Sequence, residues 1–280
     1  MAPNISGLDL EAVGKKPTEA VFTYTTKDVI LYALGIGAQI EELPFIYEKY
    51  PTGLKVFPSY ATIASKRAFP RMGQIDFPRF IHGEELIRLH EPFASAGEIK
   101  CTGQVMSIYD KGKAALVNVS FAGIKGAGSK IFEVESAFFY LGAGGFGGKR
   151  GPKTDELKSP EGRPPDFSIS YPTTKIQAAL YRLNGDYNPL HIDPEAAKHG
   201  GQERPILHGL CTYGFATRAI LHGACGGDIS RFKEFKARFA NVVFPGDALT
   251  TEGWKDDDRY IIQVRVGNRI VLSNAYAIIS

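Results

Sequence analysis

The sequence predicts an α+β chain built as two lobes in tandem, each a long antiparallel sheet wrapped on a central helix. Three observations carry that expectation. Residues 205–223, "PILHGLCTYGFATRAILHG", read as a helix bounded by Pro205 and Gly223, apolar on nearly all sides with Arg218 its one residue of fixed charge, so it should be buried. Both halves show an apolar run to a Gly-containing corner, a strand to a charged turn ("YDKGK" or "KDDDR"), and two final strands joined near a glycine. Between them, "GFGGKRGPKTDELKSPEGRPPD", 145–166, is rich in Gly, Pro and charge and lacks apolar periodicity, as a linker does. A buried helix inside a long antiparallel sheet is the hot-dog arrangement, and two in tandem make a double hot-dog. The length of 280 residues is long for one core and comfortable for two.

Along the chain, "KDVILYALGIGA" predicts a helix, and the shorter, more amphipathic "IHGEELIRLH" a second one, the first lobe's counterpart of 205–223. "EIKCTGQVMSIYDKGKAALVNVSFAG" and "KIFEVESAFFYLG" read as antiparallel strands with partial alternation. We place the domain boundary in the linker, 1–150 against 151–280. The second lobe then repeats the strands in "RFANVVFPGDALTTEGWKDDDRYIIQVRVGNRIVLSNAYAII". Inside the central helix, Gly209 and Gly214 each cost about 1 kcal/mol relative to alanine, so each needs a reason. For Gly214 the expected reason is tight packing against the sheet.

Bulk properties exclude several classes. A hydrophobic fraction of 44% and a charged fraction of 22% belong to an ordinary globular chain. A net charge of +3 makes no field that would draw in nucleic acid or anionic membranes. Cys101, Cys211 and Cys225 are too few and scattered for a disulfide framework or zinc knuckle, which favours a reducing compartment. The first twenty residues hold no apolar core of signal-peptide length, no run of 18 apolar residues occurs, and the final "AIIS" is not a peroxisomal tripeptide.

Chemistry concentrates in "GDYNPLHIDP", 185–194. Asn188 precedes a proline and is pushed out of the α region, while Gly185 can take dihedrals closed to other residues, so the segment turns sharply. Asp193 has the character of an N-cap, with Pro194 at the first position of a short helix closed by "HGG". In a continuous helix residues five apart would diverge by about 140°; the bent turn lets Asp186 and His191 converge instead. A water between them would find an acceptor, a tunable imidazole and the Asn188 amide. The same residues also make a good Asx-turn, with the His hydrogen-bonded as structure. A metal site would enlist His191, Asp193, His199 and His208, but their spacing matches no familiar zinc signature, and no metal is expected.

"YRLNGDYNPLHIDPEAAKHGG", followed by "RPILHGLCTYGFATRAIL", closely resembles the signature of the type 2 enoyl-CoA hydratases, the hydratase part of the peroxisomal multifunctional β-oxidation enzyme and members of the wider MaoC-like group. "IHGEE", "GAGGFGGKR", "RFKEFKARFANVVFPG" and "VLSNAYA" extend the likeness over most of the chain. The resemblance implies a double hot-dog with one working site, hydrating trans-2-enoyl-CoA to the (3R)-3-hydroxyacyl-CoA. Residue by residue it places the catalytic Asp at Asp186, the catalytic Asn at Asn188, the catalytic His at His191, and the oxyanion-binding glycine, through its backbone NH, at Gly209. It implies no cofactor, coenzyme A being part of the substrate. A homodimer is expected, as is fusion to or cooperation with a (3R)-hydroxyacyl-CoA dehydrogenase. The compartment would be peroxisomal in a eukaryote and cytoplasmic in a bacterium.

Other signals are duller than they look. "GAGGFG" satisfies G-x-G-x-x-G but opens no helix and has no βαβ context, so it is not a dinucleotide fingerprint. Lys149 and Arg150 are candidates for the coenzyme A phosphates, the alternative being a solvated linker. Arg231, Lys233, Lys236 and Arg238 in "RFKEFKARF" are candidates of the same kind, the alternative being a solvated face. "HGEE" lacks an accompanying "GDxNPxH" turn, so the first lobe is expected to be catalytically silent and to accommodate the acyl chain, with Glu84 supporting site or fold. The rival readings are a hot-dog thioesterase, which generally lacks this turn, and a non-catalytic acyl-CoA-binding module, which would not need Asp186, Asn188 and His191 together.

Overall fold

The computed structural model describes residues 7–126, 128–153 and 156–280. Residues 1–6 of the amino-terminal stretch and 154–155 of the linker therefore lie outside the described residues. Strands β1 (Thr18–Tyr24), β2 (Phe80–Leu89), β3 (Gly97–Asp110), β4 (Ala114–Lys125) and β5 (Ser129–Leu141) come from the first half. The second supplies β6 (Phe167–Pro172), β7 (Phe232–Phe239), β8 (Ala248–Asp256), β9 (Arg259–Val266) and β10 (Arg269–Ile279). Helices are α1 (Thr26–Gly35), α2 (Leu43–Ile46), α3 (Ala61–Ser65), α4 (Gln177–Tyr181), α5 (Pro194–His199) and α6 (Gly209–Gly223).

All ten strands form one antiparallel sheet in the order β1-β3-β4-β5-β2-β7-β10-β9-β8-β6. Read from the centre outward, the two halves list equivalent strands: β2 with β7, β5 with β10, β4 with β9, β3 with β8, β1 with β6. The internal duplication seen in the sequence is this symmetry, and the fold is the double hot-dog. The central helices are unequal. In the second half α6 runs for 15 residues, buried from Leu210 to Leu221. In the first half the place against β3, β4 and β5 belongs to α3, only five residues long.

Two expectations are corrected. "IHGEELIRLH" is strand β2, not a helix, and its symmetry partner is "RFKEFKARF" in β7, not the "HGLC" of α6. Its inward alternation is masked because Glu85 is itself buried, held by Ser136 Oγ at 2.5 Å and His82 Nε2 at 2.9 Å. Gly214 packs on α1 rather than on the sheet: a Cβ there would overlap the Ile36 side chain and stand 3.2 Å from the Tyr32 hydroxyl.

The 145–166 segment has no regular structure among its described residues, but it is not simply solvated. Gly145 and Gly147 amides each donate to the Asp110 carboxylate at 2.8 Å, and the Leu157 amide donates to Asn274 Oδ1 at 2.8 Å. The G-x-G-x-x-G amides thus wrap a carboxylate of their own chain, which these donors hold below the usual carboxylate range.

A buried ion pair ties the halves together. Glu42, between α1 and α2, meets Arg218 of α6 at 2.7 Å and His222 at 2.9 Å, with the Arg218 guanidinium 3.7 Å from the Tyr171 ring centroid. Burial opposes the Glu42 charge, yet His222 and Arg218 outweigh it and hold the carboxyl down at about 2.

Candidate active site

The site forms where α4 ends and α6 begins. After α4 a single 3₁₀ turn leads to Gly185, whose φ of 110° closes the helix in a left-handed conformation. The chain then reverses through Asp186, Tyr187 and Asn188 into a 3₁₀ turn over Pro189–His191. Asp193 accepts from the Glu195 amide at 2.8 Å and starts α5, as the N-cap and Pro194 pattern predicts.

Convergence of Asp186 with His191 is as the bent turn requires, and a third group joins them. Ligand atoms of Asp186, His191 and His208 all lie within 4.8 Å of one another. The His191 and His208 rings stack at a centroid distance of 3.7 Å, and both are buried. Because a carbonyl can only accept, the hydrogen bonds fix the tautomers. His191 Nδ1 donates to the Ile206 carbonyl at 2.9 Å, which leaves Nε2 as a bare lone pair. His208 Nε2 donates to the Asp186 carbonyl at 3.2 Å and pins the turn to the start of α6. His208 Nδ1 is buried with no partner among the described residues.

Burial lowers the His191 imidazole, more than the Ile206 carbonyl and the Asp186 charge raise it. His208 is driven down to about 3, by burial first and then by its neighbour His191. Burial would raise the Asp186 carboxyl, but Lys66, His208 and His191 together bring it to about 2. At neutral pH the site therefore holds a carboxylate beside two neutral imidazoles. A base of this kind fails only when it gains a proton, so activity should persist below the pH at which an ordinary imidazole titrates, near 6.5. A kcat/KM profile from pH 5 to 8 checks this: the acid limb should lie below that of free histidine.

The remaining expected residues differ in their surroundings. Asn188 is exposed, and its Oδ1 accepts from the Leu190 amide at 3.0 Å, which is the Asx-turn role. Gly209 opens α6, where first-turn amides lack helical acceptors and form the positive end of the helix dipole. A Cβ on Gly209 would stand 3.2 Å from the Phe239 ring, so close packing also accounts for glycine there. Glu84 pairs across strands with Lys236 at 3.3 Å and Arg238 at 2.7 Å, a fold contact in the middle of the sheet. Arg231 donates to the Ser280 and Cys225 carbonyls and Lys233 to the Ser230 carbonyl. Lys149 and Arg150 are exposed on the loop anchored by Asp110, their carbonyls accepting from the Asp110 amide and from Lys111.

Sequence reasoning missed Lys66, whose ammonium lies 3.2 Å from Asp186 Oδ2. Nothing local to "ASKRAF" marks it, since its partner is 120 residues away. The four-residue metal set does not assemble: Asp193 caps α5 and His199 Nδ1 faces the Glu195 carbonyl. In the trio that does assemble, Lys66 already supplies the positive charge a cation would bring. We read the trio as a proton-handling cluster.

Comparison with known proteins agrees with this fold. Residues 22–142 match the MFE-2 hydratase 2 N-terminal domain and residues 156–275 the MaoC like domain. The chain is 39% identical over 275 residues to the probable enoyl-CoA hydratase 2 of Dictyostelium discoideum, covering 94% of this chain and 93% of that protein. It is 38% identical over 290 residues to the peroxisomal multifunctional enzyme type 2 of Mus musculus, 98% of this chain but 39% of the relative. It thus spans about two fifths of that relative's length. The crystal structure of a MaoC-like dehydratase from Phytophthora capsici has the same fold, with a TM-score of 0.86 at 32% identity over 98% of each chain. With family models matching both halves of the chain and a relative 39% identical over 94% of it, the protein belongs to the MaoC-like, MFE-2 hydratase 2 family.

Proposed function

We infer that the protein adds water across the C2–C3 double bond of a trans-2-enoyl-CoA to give the (3R)-3-hydroxyacyl-CoA, a step of fatty-acid β-oxidation. The observation that carries this is the convergence of Asp186 and His191 beside the first turn of α6, with His191 Nδ1 committed to the Ile206 carbonyl and Nε2 left as a lone pair. Water is a poor nucleophile. Held between carboxylate and imidazole it can lose a proton to Nε2 as its oxygen bonds to C3, help that typically contributes about 10²–10⁴-fold. Electron density shifts to the thioester oxygen, where the Gly209 amide can donate, and a proton delivered to C2 completes the addition. The balance is one water gained and nothing oxidised, so the chemistry requires no redox cofactor.

Partner and compartment follow from the same reading. Coenzyme A arrives as part of the substrate, and Lys149 and Arg150 are the basic side chains we assign to its phosphates, the other candidates Arg231, Lys233, Lys236 and Arg238 being engaged within the fold. Cooperation with a (3R)-hydroxyacyl-CoA dehydrogenase and assembly as a homodimer complete the proposal. In a eukaryotic host the protein would work in the peroxisome, as the peroxisomal multifunctional enzyme type 2 of Mus musculus does by its name. No helix among the described residues is long and apolar enough to cross a membrane.

One experiment separates the readings. Mixed with crotonyl-CoA, the protein should bleach the enoyl thioester absorbance without freeing thiol, and chiral analysis should show the 3R alcohol. Thiol release would mean a thioesterase, no change a binding module, and mainly 3S product a different site.

A further inference from the structure

We propose that Lys66, supplied by the first half of the chain, is a positioning residue of the reaction: its ammonium fixes the Asp186 carboxylate in the water site and sets the electrostatic balance there. The inference rests on the hydratase reading for the meaning of the site. Lys66 opens the 3₁₀ turn that follows α3, and that turn packs on β1 and β3, so its backbone belongs to the first half's core. From there Nζ reaches Asp186 Oδ2 at 3.2 Å, across 120 residues of sequence. The adjacent Arg67 turns away, its guanidinium over the Phe22 ring at 5.8 Å. Asp186 is coupled to Lys66 from this turn, His191 from its own turn, His208 from the start of α6 and Tyr181 from α4, while Arg182 lies over the Tyr187 ring at 4.9 Å.

The pair is too wet to matter much for folding. Its side chains are 39% and 29% exposed, and ion pairs of that kind add little to stability. Locally its effect is different, because every titrating group of the site feels the same charge. Lys66 favours the ionised carboxylate of Asp186 and disfavours a proton on His191 and on His208. Removing it makes both the carboxylate and the imidazole easier to protonate, and each change disables the water site from the acid side. The first half is then more than a place for the acyl chain. It contributes the counter-charge without which the second half's turn is an unbalanced anion.

The test compares wild type with Lys66→Met, Lys66→Gln and Lys66→Arg, following kcat/KM for crotonyl-CoA hydration against pH and, on the same proteins, the ring titration of His191 by NMR. In the Met and Gln variants the acid limb and the ring titration should both move to higher pH. At a pH on the acid limb, turnover should fall on the order of tenfold, the equivalent of one pK unit, with little change in KM, and arginine should restore both. Raising the ionic strength should shift the wild-type limb the same way and leave the Met variant's in place. A limb and a ring titration in Lys66→Met that superimpose on wild type would overturn the inference, since a structural role lowers amplitude without moving either. If the wild type hydrates nothing, the hydratase reading fails on its own, and the ring titration still decides whether Lys66 governs the site.

Discussion

Asp186→Asn and His191→Gln should each lower the turnover of enoyl-CoA hydration by at least about 10²-fold, the lower end of what general acid–base help contributes, with the fold intact. The asparagine keeps the shape of the side chain and removes the charge that holds and polarises the water. It leaves Lys66 unpaired, but that lysine is 39% exposed and water can take the place of its partner. Glutamine at 191 keeps a donor for the Ile206 carbonyl and loses the Nε2 lone pair, so the turn stays closed while the base is gone. Steady-state kinetics on crotonyl-CoA with far-ultraviolet circular dichroism checks both points; near-normal hydration by either folded variant would remove its residue from the mechanism.

Glu42→Ala should instead destabilise the protein by about 3–5 kcal/mol, the usual result of removing one partner from a buried pair. Arg218 is 2% exposed and would keep its charge with no carboxylate facing it. Tyr171 stacks on the guanidinium but cannot neutralise it. Replacing both partners, Glu42→Leu with Arg218→Met, should recover part of the loss, because no buried charge then remains. The pH dependence has a definite sign. The folded carboxyl sits near 2 against an ordinary 4.5, so the pair's contribution is complete above pH 4.5 and drains away as pH falls toward 2. Urea unfolding at pH 3 and pH 7 should show a smaller difference in Glu42→Ala than in wild type; an unchanged difference would place the acid sensitivity elsewhere.

Much of this molecule was legible because local chemistry and fold agree. Gly185, Pro189, Asp193 and Pro194 each dictate a backbone state, and the turn they predict is the one that brings Asp186 to His191. The long apolar run of α6 could hardly be anything but a buried helix. What escaped the sequence depends on distant partners. Strand β2 looked helical because its good helix formers, Glu84, Glu85, Leu86 and Arg88, answer to other strands: Glu84 to Arg238, Glu85 to Ser136, Arg88 to Glu234. Lys66 is an ordinary surface lysine until the fold sets it beside Asp186. Asn188 is a residue type suited to chemistry that also serves the fold, its Oδ1 accepting from the Leu190 amide.

The junction between β2 and β7 has a consequence for how the chain must be made. Contacts such as Arg238 with Glu84 close over 154 residues, and pairings so far apart in sequence form late. On a ribosome, β2 would emerge with one edge unpaired and wait for β7 through all the intervening synthesis, a template for any other strand in the cell. Glu84 and Arg88 stand on that waiting edge, and their later partners Lys236, Arg238 and Glu234 stand on the other. The charges that pair in the finished sheet thus guard its unfinished form: until β7 arrives, they make β2 an edge that neighbouring nascent chains meet as bare charge.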